Sequence, residues 1–154
     1  MSMKKKVNKL DLEKGNYMSI RRQILNKNSS FVSQEAYKSL RTSVRFALRS
    51  NGCKRISLTS AMANEGKSIT ILNLAISVAM DGQKVLLIDA DLRRPSQARM
   101  LVEKASPGLS NVLAGMVSPE DAIRSELYPN LDVLFPAMCP PTPRSCWAAK
   151  RCGN

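Results

Sequence analysis

Residues 56 to 68 carry the residue types best suited to chemistry in this sequence. The run reads I-S-L-T-S-A-M-A-N-E-G-K-S, in which a short β-rich stretch leads through small residues to Gly66, Lys67 and Ser68. Backbone N–H groups in such a loop surround a phosphate, and the start of the following helix adds positive potential. Lys67 would supply a cation for the β- and γ-phosphates of a nucleotide, and Ser68 would place its hydroxyl on Mg²⁺. The run therefore predicts a phosphate-binding loop.

The loop departs from the strict G-x-x-x-x-G-K-[ST] pattern at its first position, where Ala61 stands. Alanine is the smallest substitute, and the turn survives if its φ angle stays negative. We expect Asn64 to be left-handed, a conformation that asparagine tolerates better than most residues. The alternative is a chance strand–turn–helix that contains Gly-Lys-Ser. On the first interpretation, the nucleotide-contacting residues are Ala61, Met62, Ala63, Asn64, Glu65, Gly66, Lys67 and Ser68.

A second polar cluster follows an apolar run in residues 85 to 95, which read V-L-L-I-D-A-D-L-R-R-P. Asp89 would end a strand at the carboxyl edge, where ligands bind in sheets of this kind, and Asp91 lies two residues on. One carboxylate could orient Mg²⁺ or its water, and the other could accept a proton from an attacking hydroxyl. Arg93 could balance the charge of a transferring phosphoryl group. The alternative is a polar turn held by ion pairs with Arg93 and Arg94.

The elements that would position these groups follow from hydrophobic periodicity and from capping residues. Ser33 is expected to cap the first helix, and Ser118 with Pro119 is expected to start a later one. Strand, helix and strand in succession predict a right-handed βαβ unit and an α/β fold. The pattern predicts helices over 33–50 and 67–80, and strands over 54–59, 84–88 and 131–135.

Charge is concentrated at the start of the chain. The 154 residues carry a formal net charge of +12, and residues 1–27 hold eight basic and two acidic side chains. We interpret residues 1–32 as a basic arm that could contact phosphates, acidic lipid or an acidic partner. The alternative is a solvated, disordered tail. The length predicts one domain or most of one.

Several function classes are disfavoured by what the sequence lacks. It contains no histidine, which excludes histidine-based acid–base catalysis, and its four cysteines show no C-x-x-C spacing. A zinc site is therefore not expected. No signal peptide is visible, and the most apolar stretch, 69–80, is well short of the ~20 residues of a membrane span. These features predict a cytoplasmic protein.

The two motifs together resemble those of the bacterial tyrosine kinases of capsular and exopolysaccharide synthesis. The matching runs are S-A-M-A-N-E-G-K-S and L-L-I-D-A-D-L-R-R-P, the latter being similar to the family's second Walker-type motif. The helical run E-A-Y-K-S-L-R resembles the family's E-x-x-R-x-x-R helix, which is used in ring assembly. In it, Glu35, Lys38 and Arg41 are expected on one exposed face that meets another subunit. Residues 107–122 also look like the family, and the resemblance covers about residues 33 to 143.

This resemblance implies a P-loop NTPase-like parallel sheet with helices on both faces. It implies a protein-tyrosine (auto)kinase that uses ATP and Mg²⁺ and regulates capsular or exopolysaccharide biosynthesis. The implied partners are a membrane-anchored polysaccharide co-polymerase that modulates the kinase, and further copies in a homo-oligomer, with no nucleic acid. The implied location is cytoplasmic, at the inner face of the membrane through that partner. The implied catalytic residues are Lys67, Asp89 and Asp91, and the implied metal ligands are Ser68, Asp89 and Asp91.

Two parts of the family pattern are not found in these 154 residues: the third Walker-type motif and the C-terminal tyrosine cluster. The resemblance also stops at Arg144, after the matching P-P-T-P. We expect residues 144–154 to be a disordered tail read in a shifted frame, because one allowed choice of codons restores A-E-L-L-G-S-K-E-M after a one-base insertion. Without the missing strand, we expect residues 54–59 to be left as an exposed apolar edge.

Two other function classes compete with this interpretation. The first is a partition or division-site ATPase with a deviant phosphate loop. That class carries a signature lysine near the loop's start, a region that Ala61, Met62 and Ala63 occupy here. The second is a non-catalytic basic module that binds nucleic acid or membrane through residues 1–27. Loss of nucleotide binding in a Lys67 variant would separate the two nucleotide-binding classes from the basic module.

Overall fold

A computed structural model describes residues 23–48, 52–62 and 65–137. The described part is a small α/β unit of three strands and five helices. The helices are α1 (Phe31–Ala47), α2 (Lys67–Met80), α3 (Gln97–Leu101), α4 (Leu109–Leu113) and α5 (Pro119–Ala122). The strands are β1 (Val85–Ile88), β2 (Ile123–Tyr128) and β3 (Leu131–Leu134). The α/β fold class predicted from the sequence is thereby confirmed.

Helix α1 begins two residues before the predicted position. The Ser30 hydroxyl, rather than that of Ser33, caps the helix by accepting a hydrogen bond from the Ser33 N–H at 3.2 Å. Both serines suit a cap, and sequence alone could not choose between them. The helix ends at Ala47, three residues before the predicted end at residue 50. No residue of α1 is fully buried, so it packs on the body as an outer helix.

Helix α2 is the central element of the core and has the predicted bounds. Most of its residues from Leu72 to Ala79 are buried, and Leu72 and Ile76 are almost wholly inaccessible. They pack with Leu87 of β1 and Val133 of β3. Gly82, at a φ of 82°, ends the helix and donates its N–H to the Ala79 carbonyl at 3.0 Å. A helix apolar over so much of its surface must be enclosed by the rest of the fold.

The sheet has the strand order β1-β3-β2. Strands β1 and β3 are parallel, with Val85 opposite Leu131 and Ile88 opposite Leu134. Strand β2 is antiparallel to β3, and its register is irregular between Arg124 and Tyr128. The Leu87 side of β1 faces α2, whereas Leu86 and Ile88 on the other side are 46% and 49% exposed. The described elements therefore cover one face of β1 and leave the other largely open.

The strand predicted over residues 54–59 is not formed. Among the described residues these positions make no ladder with β1, β2 or β3, and all six are exposed. Ile56 and Leu58 are 45% and 44% exposed, as expected for an apolar edge that lacks a neighbour. The parallel pair joins β1 to β3, so the predicted βαβ unit through residues 54–59 is wrong. A strand exists only if its backbone groups find a partner.

The helix start predicted at Ser118 and Pro119 is confirmed, but the helix is short. The Ser118 hydroxyl accepts the Asp121 N–H at 3.2 Å, and Pro119 occupies the first turn. After four residues the chain continues directly into β2, which pairs with β3. The capping signal located the start of the helix correctly and carried no information about its length.

Part of the predicted basic arm belongs to the folded body. Ile24 and Leu25 are 6% and 4% exposed and lie in the core cluster with α2. The Leu25 N–H donates to Asn73 Oδ1, and Asn73 Nδ2 donates to the Gln23 carbonyl, both at 2.8 Å. The predicted boundary at residue 32 also falls inside α1, so it lies too late in the chain. Residues 1–22 and the predicted tail 144–154 lie outside the described residues.

Candidate active site

The phosphate-loop candidate ends on a left-handed glycine. Gly66 has a φ of 80° and stands immediately before α2, at a position where a side chain would be strained. Among the described residues no side chain caps this helix, which leaves its first N–H groups available to an anion. Lys67 and Ser68 are the first two residues of the helix and are half-buried. This arrangement is the one that binds phosphate at helix starts.

The earlier part of the loop is held by its own side chains. Glu65 Oε2 accepts the Met62 N–H at 3.1 Å, and the Ser60 hydroxyl donates to the Met62 carbonyl at 2.8 Å. Ala61 and Met62 are exposed. Ala63 and Asn64 lie outside the described residues, so the left-handed conformation expected at Asn64 stays a prediction.

The two acidic residues lie at the carboxyl end of β1. The Asp89 N–H donates to the Leu134 carbonyl at 3.0 Å and extends the pairing with β3 by one residue. Its side chain is buried at 8% exposure, and Asp89 Oδ1 accepts the Asp91 N–H at 3.1 Å. Asp91 Oδ1 in turn accepts the N–H groups of Arg93 and Arg94 at 3.2 Å and 2.9 Å. The turn after β1 is therefore organised around the two carboxylates.

The alternative of a turn held by ion pairs does not describe this geometry. None of the ion pairs between described residues joins Asp91 to Arg93 or Arg94. The bonds to Asp91 come from backbone N–H groups, and both arginine side chains are exposed. The two guanidinium groups are therefore exposed to solvent.

Burial raises the pKa of Asp89 above its ordinary value. Hydrogen bonds from the N–H groups of Asp91, Gln97 and Ser96 work in the opposite direction, and the nearby charge of Asp91 adds a smaller increase. Desolvation is the largest of these effects because it disfavours the charged form of an enclosed carboxyl. A cation bound beside Asp89 would relieve this penalty. A carboxyl held in this way is typical of a functional site.

Gln97, at the start of α3, joins the two motifs and was missed by sequence reasoning. Its backbone N–H donates to Asp89 Oδ2 at 3.2 Å, and its Nε2 donates to the Ser68 carbonyl at 2.9 Å. One residue thus contacts both the first turn of α2 and the carboxylate at the end of β1. The sequence offered no signal for this role, since a glutamine on a five-residue helix has the same pattern as one that faces solvent.

The donor set fits a magnesium ion that arrives with a nucleotide. No group of three or more His, Cys, Asp or Glu side chains within the described ranges could hold a metal ion alone. Mg²⁺ usually takes one or two carboxylates together with substrate phosphates and waters, so Asp89, Asp91 and the Ser68 hydroxyl are an appropriate set. The side-chain oxygen of Gln97 is a further buried acceptor with no described partner. The residues present therefore suit the ion.

The predicted subunit-contact residues do not share one exposed face. Lys38 and Glu35 are exposed and form an ion pair with each other at 2.7 Å. Arg41 is only 20% exposed, donates to the Ser77 carbonyl at 2.8 Å and pairs with Asp81 at 3.3 Å. Each step of three residues turns by about 60° around a helix, so Arg41 is rotated toward α2. The exposed face predicted for Arg41 is wrong, and the subunit contact itself stays a prediction.

Two further observations concern pockets and membrane-spanning helices in the described part of the chain. A pocket in the described region is lined by residues such as Ile24, Met100 and Leu127 and includes none of the predicted site residues. None of the helices in residues 23–48, 52–62 and 65–137 combines the length and apolar character needed to cross a bilayer.

The chain is similar to known tyrosine-protein kinases over most of its length. It is 39% identical over 119 residues to tyrosine-protein kinase YwqD of Bacillus subtilis (strain 168). That match covers 77% of this chain and 50% of the relative, so the chain spans about half the length of this relative. No family model matches the chain.

Solved structures of kinase domains have the same fold. The BceF tyrosine kinase domain aligns with a TM-score of 0.73 and 35% identity, covering 90% of this chain and 55% of that chain. The kinase domain of the Escherichia coli tyrosine kinase ETK aligns with a TM-score of 0.70 and 31% identity, covering 82% of this chain and 53% of that chain. Sequence and fold therefore agree that this chain is similar to bacterial tyrosine kinases over about half the length of their kinase domains.

Proposed function

We propose that the chain carries the ATP- and Mg²⁺-binding part of a protein-tyrosine (auto)kinase domain that regulates capsular or exopolysaccharide biosynthesis. One observation carries the proposal. The start of α2 and the carboxyl end of β1 are joined through Gln97, which bonds to the Ser68 carbonyl at 2.9 Å and to Asp89 Oδ2 at 3.2 Å. Uncapped helical N–H groups and acidic oxygens are thereby tied to one another, as the binding of a metal-chelated triphosphate requires.

In this proposal each residue type has one task. Lys67 and the N–H groups at the start of α2 bind the phosphates, with Gly66 permitting the close approach of the backbone. The Ser68 hydroxyl and the carboxylates of Asp89 and Asp91 hold Mg²⁺, which when bound neutralises phosphate charge. Asp91 has one oxygen that accepts no described hydrogen bond, so it is the better placed of the two to accept a proton. The exposed Arg93 contacts the terminal phosphate.

The partners proposed for the whole protein follow from the family resemblance. They are a membrane-anchored polysaccharide co-polymerase that modulates the kinase, and other copies of the kinase. We further propose that the 154-residue chain alone is a poor kinase, because it lacks the family's third acidic motif and acceptor tyrosines. It would bind nucleotide, but it would transfer phosphate weakly or not at all.

The experiment that tests the nucleotide site is the substitution Lys67→Met in the 154-residue chain. Affinity for a fluorescent ATP analogue is measured in Mg²⁺ by anisotropy. We expect the dissociation constant to rise at least ~10-fold, since a charge-assisted contact to phosphate is worth about 1.5–3 kcal/mol. The matched control is Lys84→Met, which removes the same charge from an exposed position just before β1.

Equal effects of the two substitutions would mean that net charge alone attracts the nucleotide. No nucleotide binding by the unmodified chain, or full binding by Lys67→Met, would overturn the proposed site. A longer version of the protein that hydrolyses ATP without phosphorylating tyrosine would instead favour the partition-type ATPase.

A further inference from the structure

Gln97 is the one buried amide in the described part of the chain that keeps an unused acceptor. Its residue exposure is 3%, and among the described residues its Oε1 has no hydrogen-bond partner. Two other polar groups of the residue are engaged, the backbone N–H by Asp89 and Nε2 by Ser68. A buried carbonyl oxygen left without a donor is costly, so such an atom in a folded protein calls for an explanation.

The contacts of Gln97 place its Oε1 near the proposed magnesium–nucleotide site. The side-chain amide that carries it donates to the Ser68 carbonyl, and the backbone N–H of the same residue donates to the Asp89 carboxylate. Both neighbours belong to the proposed magnesium–nucleotide site. The oxygen is thus an acceptor held in place beside that site.

We propose that Gln97 is a positioning residue of the magnesium–nucleotide site, whose Oε1 accepts a hydrogen bond from a water that accompanies the ion. The inference rests on the proposed function. Mg²⁺ gives up its waters reluctantly and usually keeps several of them, so a nearby acceptor has a donor to hold. Groups of this kind orient the ligands of a metal, and their loss typically costs about 10- to 100-fold in metal affinity.

The neutrality of the amide suits this place. Asp89 is buried, and its carboxylate accepts the N–H of Asp91, a second acidic residue of the same turn, at 3.1 Å. A carboxylate at position 97 would add a third acidic side chain to this partly buried site. An amide oxygen accepts the same hydrogen bond and adds no charge.

The test separates the Oε1 acceptor from the contact that Gln97 makes to Ser68. The dissociation constant of a fluorescent ATP analogue is measured on the 154-residue chain in excess EDTA and in Mg²⁺. The ratio of the dissociation constant in EDTA to that in Mg²⁺ reports how much the ion strengthens nucleotide binding. Gln97→Leu removes both the donor and the acceptor, whereas Gln97→Glu removes the donor and keeps an oxygen. We expect the ratio to fall about 10-fold or more in Gln97→Leu, and to be kept or raised in Gln97→Glu because the added charge also favours the cation.

Two controls keep the result interpretable. Gln34→Leu removes a glutamine of α1 whose Nε2 donates to the Ser29 carbonyl at 2.8 Å, outside the proposed site, and it should leave the ratio unchanged. Gln97→Met preserves side-chain length without a strong acceptor, and it replaces the leucine variant if that variant does not fold. Thermal melting of every variant reports any general loss of stability.

The outcomes are distinct. If Gln97→Leu and Gln97→Glu lower the ratio equally, the residue acts only through Ser68, and the inference is wrong. If both leave the ratio unchanged while melting earlier, its role is structural, and the inference is wrong again. If the unmodified chain binds no nucleotide under either condition, the proposed function fails and this inference fails with it.

Discussion

At the scale of single residues, folding and cation binding favour opposite protonation states of Asp89. Burial favours the neutral carboxyl, whereas a bound cation favours the carboxylate. The fold buries its carboxyl, and burial raises its pKa. The backbone of the following turn offsets part of this cost, because the Asp91 and Gln97 N–H groups each donate to one carboxylate oxygen. These hydrogen bonds stabilise a buried carboxylate at the end of β1. A bound cation would offset the desolvation cost that remains.

The raised pKa of Asp89 predicts a pH dependence of stability in the metal-free chain. The folded state holds this proton more tightly than the unfolded state does. The contribution of Asp89 to the free energy of unfolding is therefore full below the unfolded-state pKa and is lost as pH rises through the higher folded-state pKa. Urea denaturation of the parent and of Asp89→Asn over acidic to neutral pH isolates this contribution, since other groups affect both proteins alike.

We expect the parent to lose stability relative to Asp89→Asn as the pH rises through that window. Adding Mg²⁺ and nucleotide to the parent should flatten the trend, because a cation favours the ionised carboxylate. A constant difference between the two proteins at all pH values would show that Asp89 is not perturbed. Asp91→Asn serves as the comparison at a less buried position of the same turn.

At the scale of elements, the sequence predicted what is locally determined. Helix α2 has the predicted bounds because its apolar run and the glycines Gly66 and Gly82 define it without outside help. The strand over 54–59 was predicted on the same kind of pattern and did not form, because pairing depends on a neighbour that no local signal reveals. The packing of Ile24 and Leu25 on α2 was missed because the surrounding charge made the segment look solvated.

The site shows the same division between local and long-range information. Lys67, Ser68, Asp89 and Asp91 could be proposed as site residues because each belongs to a short motif with a known chemical use. Gln97 was missed because its value lies in contacts with Ser68 and Asp89, at sequence separations of 29 and 8 residues. Local sequence patterns cannot report such contacts.

The contact between α1 and α2 predicts different costs for two arginines that bind one carboxylate. Arg41 is 20% exposed and bonds to the Ser77 carbonyl as well as to Asp81, whereas Arg45 is 69% exposed and pairs with Asp81 alone. We expect Arg41→Ala to lower the free energy of unfolding by about 1–3 kcal/mol, because it removes the hydrogen bond to the Ser77 carbonyl on α2. Arg45→Ala should cost about 0–1 kcal/mol, as exposed ion pairs usually do.

Urea denaturation of the two variants at moderate salt checks this comparison. A cost for Arg45→Ala that matches or exceeds that of Arg41→Ala would show that Arg41 is not anchored on α2. In that case Arg41 would be free to join Glu35 and Lys38 in the subunit contact that the family resemblance implies. If the predicted order holds, a subunit contact of this kind would have to use the exposed pair without Arg41.

At the scale of the whole molecule, two opposing properties act on association. The net charge of +12 keeps copies of the chain apart through long-range repulsion. Against it stand apolar side chains left nearly half exposed along residues 54–59 and on the open side of β1, namely Ile56, Leu58, Leu86 and Ile88. Unpaired backbone and exposed apolar groups in one segment are a template for pairing with another chain. Which property prevails depends on the ionic strength.

We therefore predict that the chain self-associates as salt rises, through residues 54–59. The Debye length shortens from ~10 Å at 0.1 M salt to ~3 Å at 1 M, which removes the repulsion and leaves the apolar contacts intact. Light scattering coupled to size exclusion, over a series of salt and protein concentrations, measures the associated fraction. Leu58→Lys should lower that fraction severalfold and change the free energy of unfolding by no more than about 0.5 kcal/mol, because the side chain is already exposed.

The matched control for this prediction is Ser57→Lys, which adds the same charge one residue away at an exposed polar position. If the two variants reduce association equally, added charge is the cause and the apolar edge is not. If the parent stays monomeric at the highest salt and protein concentrations, residues 54–59 do not pair between copies. An effect confined to Leu58→Lys would identify this segment as a strand whose backbone and apolar side chains are satisfied only by a neighbouring strand.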